Sequence, residues 1–249
     1  MKKKIPIRDI KFQKSILSLE KSWIESYDLL FLEGKINYAR AGQWRPEIYE
    51  IQRDLFYSLI MAYTNNHKNV HDKISRMFVK SYHLKFGFVL LPACWDKLAQ
   101  LVREFLEIKK WSHLKKPKKA TEDTTSMKTL IRYLNVTKNS SKIKQILKNY
   151  WNEENRKKAF EIANKLKHRW SQHYIGIKTK TSERLRVSEN SLSYTFGDKP
   201  VDGKVLYEHI SILKEANNSF VKCAMEIDKV IDYNQFYTFK NGKKTLCID

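Results

Sequence analysis

The stretch Leu90-Leu91-Pro92-Ala93-Cys94-Trp95-Asp96-Lys97-Leu98-Ala99-Gln100-Leu101-Val102-Arg103-Glu104-Phe105-Leu106-Glu107-Ile108 decides the fold class. Leu91, Cys94, Trp95, Leu98, Leu101, Val102, Phe105 and Ile108 recur every three or four residues, the period of a helix with a buried side. Pro92 suits a first helical turn, where its missing N–H has no partner to lose. The spacing therefore predicts a helix that begins again at Pro92 inside the apolar segment 71–111. A second seam runs from Asp202-Gly203 to about residue 232, through Leu206, Ile210, Leu213, Ala216, Phe220, Cys223, Ile227 and Val230. A seam so regular needs another helix against it. It suits a homodimer through the last helix and intramolecular packing equally.

Outward from these seams the chain keeps helical periods. Residues 9–33 carry Ile10, Ile16, Leu17, Leu19, Trp23, Ile24, Tyr27 and Leu30 at helical spacing, and residues 46–64 carry Ile48, Ile51, Leu55, Leu59 and Ala62 behind Pro46. Residues 65–69 are a polar break. Residues 112–126, rich in lysine and threonine and without apolar period, read as a mobile loop. Short helices are predicted at 127–135 and 141–151, and a longer one at 153–174. Residues 183–197 alternate as strands do and read as a small hairpin, with Ser188-Glu189-Asn190 between its arms. Asn241-Gly242 is a turn signal in the tail. The expectation is all-α: a helical bundle with one small β-hairpin insert near 183–197. It forms a single domain over 1–249, with a core of about 9–232, an N-terminal helical extension 9–45 and a short tail 233–249.

Composition agrees. The 249 residues include 42% hydrophobic and 12% aromatic side chains, enough for a core, and only 7 Gly and 5 Pro, too few for a sandwich or barrel. No run of about 18 apolar residues predicts a membrane span. The basic start, Met1 to Asp9, lacks an apolar stretch behind it and does not read as a signal peptide. Three cysteines, Cys94, Cys223 and Cys247, give neither a disulfide framework nor a zinc spacing, and a reducing cytoplasm fits them. His67 and His71 stand four apart without a third ligand. No glycine-rich phosphate loop, nucleophile elbow or metal-ligand cluster is present, so no cofactor is expected.

Charge points to partners. Lys plus Arg total 48 against 27 Asp plus Glu, a formal net charge of +21. Such a balance suggests a polyanion, with affinity from counterion release and a steep fall with salt. The cations cluster. Lys109, Lys110, Lys115, Lys116, Lys118 and Lys119 surround Trp111; Arg156, Lys157, Lys158, Lys165, Lys167 and Arg169 form a second group; Lys178, Lys180, Arg184 and Arg186 form a third. A lysine-rich solvated surface without a ligand explains the same composition. Trp111 among its lysines is either a base-stacking platform or a loop anchor.

The densest chemistry is Asn164-Lys165-Leu166-Lys167-His168-Arg169-Trp170-Ser171-Gln172-His173-Tyr174, at the end of a predicted helix. Asn164 and His168 share one helical face, as do Arg169 and His173. Lys167-His168 followed by His173 resembles the Arg-X4–6-His signature of the HEPN superfamily, in which the arginine is commonly followed by Asn, Asp or His. Residues 90–101 resemble the helix that precedes this motif in several bacterial families of that group. The order of elements over roughly 50–232 is similar too. The resemblance implies RNA binding and metal-independent endoribonuclease chemistry of a defence or toxin-like kind. His173 would be the acid or base and His168 a second, Lys167 or Arg169 would hold the phosphate, and Asn164 would orient an imidazole or an oxygen. Two protomers would build the cleft. An imidazole with a pKa of about 6.5 exchanges protons near neutrality, and a cation stabilises the crowded phosphate. The family's arginine is a lysine here, a point charge in place of a bidentate fork. Two alternatives stand beside cleavage: nucleic-acid binding without cutting, by Asn164, Lys165, Lys109, Lys110, Lys115 and Lys116, and a helical interaction module with no nucleic-acid ligand. Asp96 reads as a surface charge on its helix or as a catalytic acid.

Overall fold

A computed structural model describes residues 40–64, 73–137, 141–168, 186–188, 191–193, 203–231, 237–240 and 243–246. Among these, six helices make the body: α1 (Trp44–Tyr63), α2 (Lys73–Phe105), α3 (Met127–Val136), α4 (Ser141–Trp151), α5 (Glu154–His168) and α6 (Gly203–Ile231). Three two-stranded antiparallel pairs complete it: β1 (Lys110–Trp111) with β2 (Lys118–Lys119), β3 (Arg186–Ser188) with β4 (Ser191–Ser193), and β5 (Tyr237–Lys240) with β6 (Lys243–Leu246). The protein is all-α with small hairpins. The expected insert is β3–β4, with Val187 opposite Leu192. Strands β5 and β6 flank the Asn241-Gly242 signal, which itself lies outside the described residues, as do residues 9–39 of the N-terminal extension and the polar break at 65–69.

Helix α2 is central, with α1, α5 and α6 packed along it. Its seam is buried as the spacing requires: Leu91, Cys94, Trp95, Leu98, Leu101 and Val102 are all at 1% exposure or less. Each such leucine contributes about 1.5–3 kcal/mol by leaving water. The helix does not begin again at Pro92. It runs unbroken for 33 residues, with Pro92 buried in its interior. The ring removes one backbone hydrogen bond. Leu84 and Phe88 before it, and Leu91 and Cys94 around it, are fixed in the same core, so packing on both halves outweighs that loss.

The α6 seam turns inward. Leu206, Ile210, Leu213, Ala216, Phe220, Cys223 and Ile227 are buried against α1, α2, α4 and α5. Of the two uses the spacing allows, intramolecular packing is the one observed for these side chains. Gly87 lets α2 and α6 approach closely, since a β-carbon there would stand 2.7 Å from Leu213 Cδ2. Two polar pairs tie α1 to α6. Arg45 meets Asp228 at 3.0 Å with both side chains largely buried, and the Gln52 amide donates to Asn217 inside the core. No helix among the described residues is long and apolar enough to cross a membrane.

Candidate nucleic-acid interface

The site begins where α2 ends. Leu106 N–H donates to Val102 O (3.0 Å), Glu107 N–H to Glu104 O (3.1 Å) and Ile108 N–H to Arg103 O (3.1 Å). Glu107 has φ of 51°, in the left-handed region. This is the Schellman close of a helix, with glutamate where glycine is favoured, and buried Ile108 supplies its apolar contact. The reversal launches the β1–β2 hairpin.

The hairpin is held from inside. Lys110 pairs with Lys119 and Trp111 with Lys118, and Ala120 N–H donates to Lys109 O at 2.9 Å. Trp111 is fully buried; its indole packs edge-on against Tyr133 of α3 with centroids 5.5 Å apart, and Nε1 donates to Thr124 Oγ1 at 3.1 Å. Thr121 N–H donates to the same oxygen at 2.9 Å, and Thr125 Oγ1 donates to Thr121 O at 2.6 Å. From α2, Arg103 donates to Thr125 Oγ1 (3.1 Å) and Gln100 to Glu122 O (2.8 Å). Lys97 joins Glu122 at 3.2 Å and Glu47 of α1 at 2.6 Å. The segment 112–126 is therefore an ordered, hydrogen-bonded structure, not the mobile loop its composition suggests. Threonine hydroxyls do the ordering, and they leave no apolar period. Trp111 is the anchor of this structure, which removes it from the surface as a stacking platform.

Against that anchor, Lys109, Lys110, Lys115, Lys116, Lys118 and Lys119 are all exposed. No Asp or Glu interrupts residues 109–119. His113 lies beside Trp111 and Tyr133; burial lowers its pKa below 6.5, and Arg132 adds to the effect.

The motif stretch begins on α5. Asn164, Lys165 and Lys167 are exposed on the last turns of α5. His168 closes the helix, but its side chain, like all of Arg169 and His173, lies outside the described residues. Lys167 acts on Asp96 of α2. That carboxylate accepts Met127 N–H at 3.1 Å, at the N-terminus of α3. Burial raises its pKa, while the Met127 N–H and Lys167 oppose the rise. Asp96 is thus an exposed charge on its helix, as one of the two sequence readings had it, and it also caps α3 with a lysine neighbour. Its signal was weak: a carboxylate 31 residues from the helix it caps. Lys165 faces elsewhere. Its charge bears on His209 of α6, whose pKa is lowered chiefly by burial. Lys165 and Lys167, the two lysines of the motif, therefore flank α5 and do not converge.

Protein-family models, curated proteins and solved structures give no match to this chain. The site rests on its own geometry. Among the described residues, no group of three or more His, Cys, Asp or Glu side chains could hold a metal ion. Cys94 and Cys223 are free thiols sealed in the core, their pKa values pushed up by burial.

Proposed function

We propose that this protein binds RNA as a polyanion, with the β1–β2 hairpin as its principal contact. The observation that carries the proposal is the hairpin itself: six exposed lysines and no acidic residue on a short turn whose shape is fixed by buried Trp111. A pre-ordered set of cations loses little conformational entropy when it meets phosphates. For a single strand, each phosphate neutralised contributes about 0.7 to the slope of log affinity against log salt, so six contacts give a slope of about −4.

The HEPN resemblance places Asn164, Lys167, His168, Arg169 and His173 in the same reading, as a second contact with RNA. Binding without cleavage is favoured over hydrolysis. Lys167 stands where the family has a bidentate arginine, and it has Asp96 as an electrostatic neighbour that offsets its charge.

Fluorescence anisotropy with a labelled single-stranded RNA across a salt series tests this. The native chain is expected to show the steep slope. A variant with all six hairpin lysines replaced by glutamine should lose most of that slope while its thermal unfolding is unchanged. Equal binding by both proteins would overturn the proposal. Gel analysis of the same mixtures in EDTA reads cleavage, and products that vanish in His173→Ala would replace binding alone with a nuclease.

A further inference from the structure

Arg156 stands in the first turn of α5, 7% exposed. Its guanidinium carbon lies 4.0 Å from the ring centroid of Trp151 and 4.9 Å from that of Phe160. These two rings meet edge to face, 5.3 Å apart, and Trp151 also packs on Trp95 in the core. The cation is pressed into an aromatic corner. Among the described residues it has no hydrogen-bond acceptor and no carboxylate within ion-pair distance, and its Nε is buried without a partner. The acidic residues nearest to it along the chain are engaged elsewhere. Glu153 accepts from Ser219, and Glu154 pairs with Lys158 at 3.5 Å.

A buried guanidinium is ordinarily matched by a carboxylate, because removal from water is costly without one. Burial here pushes the Arg156 pKa down to about 10, still far above neutrality, so the charge persists. Cation–π contact offsets part of the cost through the faces of the group. It leaves the in-plane N–H donors unused, and the terminal nitrogens are not enclosed as Nε is. The positive end of the α5 dipole lies at the same turn, followed by exposed Lys157 and Lys158.

We propose that Arg156 anchors an oxyanion site that takes a phosphate group, the two aromatic rings fixing its donor edge toward the ligand. The chemistry is bidentate donation from a pre-oriented guanidinium to two phosphate oxygens. Free phosphate and the phosphodiester of a nucleic acid share that chemistry. The site lies on α5 and does not depend on the lysine hairpin binding RNA.

Nitrogen-15 spectra of arginine Nε–H groups test it, with the Arg156 signal assigned by its absence in Arg156→Lys. Inorganic phosphate, compared with chloride at equal ionic strength, is expected to move that signal saturably and to raise the melting temperature. Arg156→Lys should weaken phosphate binding about tenfold, since it keeps the charge and loses the fork. Arg156→Met should abolish binding and leave the melting temperature unchanged or higher. A signal that moves with a single-stranded RNA oligomer alone assigns the site to phosphodiesters. A signal that moves with neither ligand, or phosphate binding unaltered in Arg156→Lys, overturns the proposal. The lysine variant preserves charge and most of the packing, so it decides the matter even if the methionine variant does not fold.

Discussion

Two basic stretches of this chain look alike as sequence and fold in opposite senses. In residues 109–119 an aromatic side chain goes inward and every lysine goes outward, so Trp111 is the fixed point and the charge is free. In residues 156–167 a cation itself goes inward, and Arg156 lies on Trp151 and Phe160 while Lys157, Lys158, Lys165 and Lys167 remain exposed. A cationic run therefore has no single structural meaning. Its meaning depends on which member the neighbouring aromatics capture.

Removing the fixed point breaks the comparison most severely. Trp111→Ala should cost about 3–5 kcal/mol in urea unfolding, the range for a large buried aromatic. It should also release the hairpin lysines, seen as faster amide exchange over 109–125; an unchanged stability would mean that the threonine network alone orders the segment. Asp96→Ala is next. It removes the carboxylate that receives Met127 N–H and should cost about 1 kcal/mol, with Asp96→Asn close to neutral because its carbonyl oxygen still accepts. Equal losses in both variants would show that the charge, through Lys167, matters more than the cap. Glu107→Gly acts in the other direction. It relieves the left-handed φ of 51° at the hairpin's entrance and should stabilise by about 0.5–1 kcal/mol in the same assay.

The smallest expected effect is pH dependence, and it sharpens the comparison because each region holds a buried imidazole. His113 lies in the hairpin's own connection and His209 on α6 near Lys165 of α5, and burial lowers both pKa values below 6.5. Above pH 6.5 folded and unfolded chains are both neutral at these positions, so the stability is fully present. As pH falls through 6.5, the unfolded chain takes up protons first and stability declines. His113→Gln and His209→Gln should each flatten part of that decline in unfolding curves taken between neutral and mildly acidic pH. A decline untouched by either change would assign it to other groups.

The two regions were not equally legible. The seams of α2 and α6 are apolar repeats, and repeats survive translation into sequence because one period serves the whole element. Pro92 misled because local preference placed it at a helix start, whereas core contacts on both sides carry the helix through it. The order in 112–126 comes from Thr121, Thr124 and Thr125 meeting Trp111, Arg103 and backbone carbonyls, a set of single contacts without period. Of the candidate site, the exposed lysines were readable from charge density. Arg156 was not, because the sequence does not say which basic residue will lose its water. Asp96 was hidden for a related reason, since its partner is a backbone group far along the chain.

The polar ties between α1 and α6 also set an order of events. Arg45 and Gln52 find their partners 183 and 165 residues later, in the last helix. During synthesis the first of these helices must wait, its guanidinium and amide still wetted by solvent, until α6 has left the ribosome. A chain stopped before residue 203 would strand both groups, and its exposed leucines would invite chaperones or aggregation. Completion of the bundle is thereby coupled to the emergence of α6.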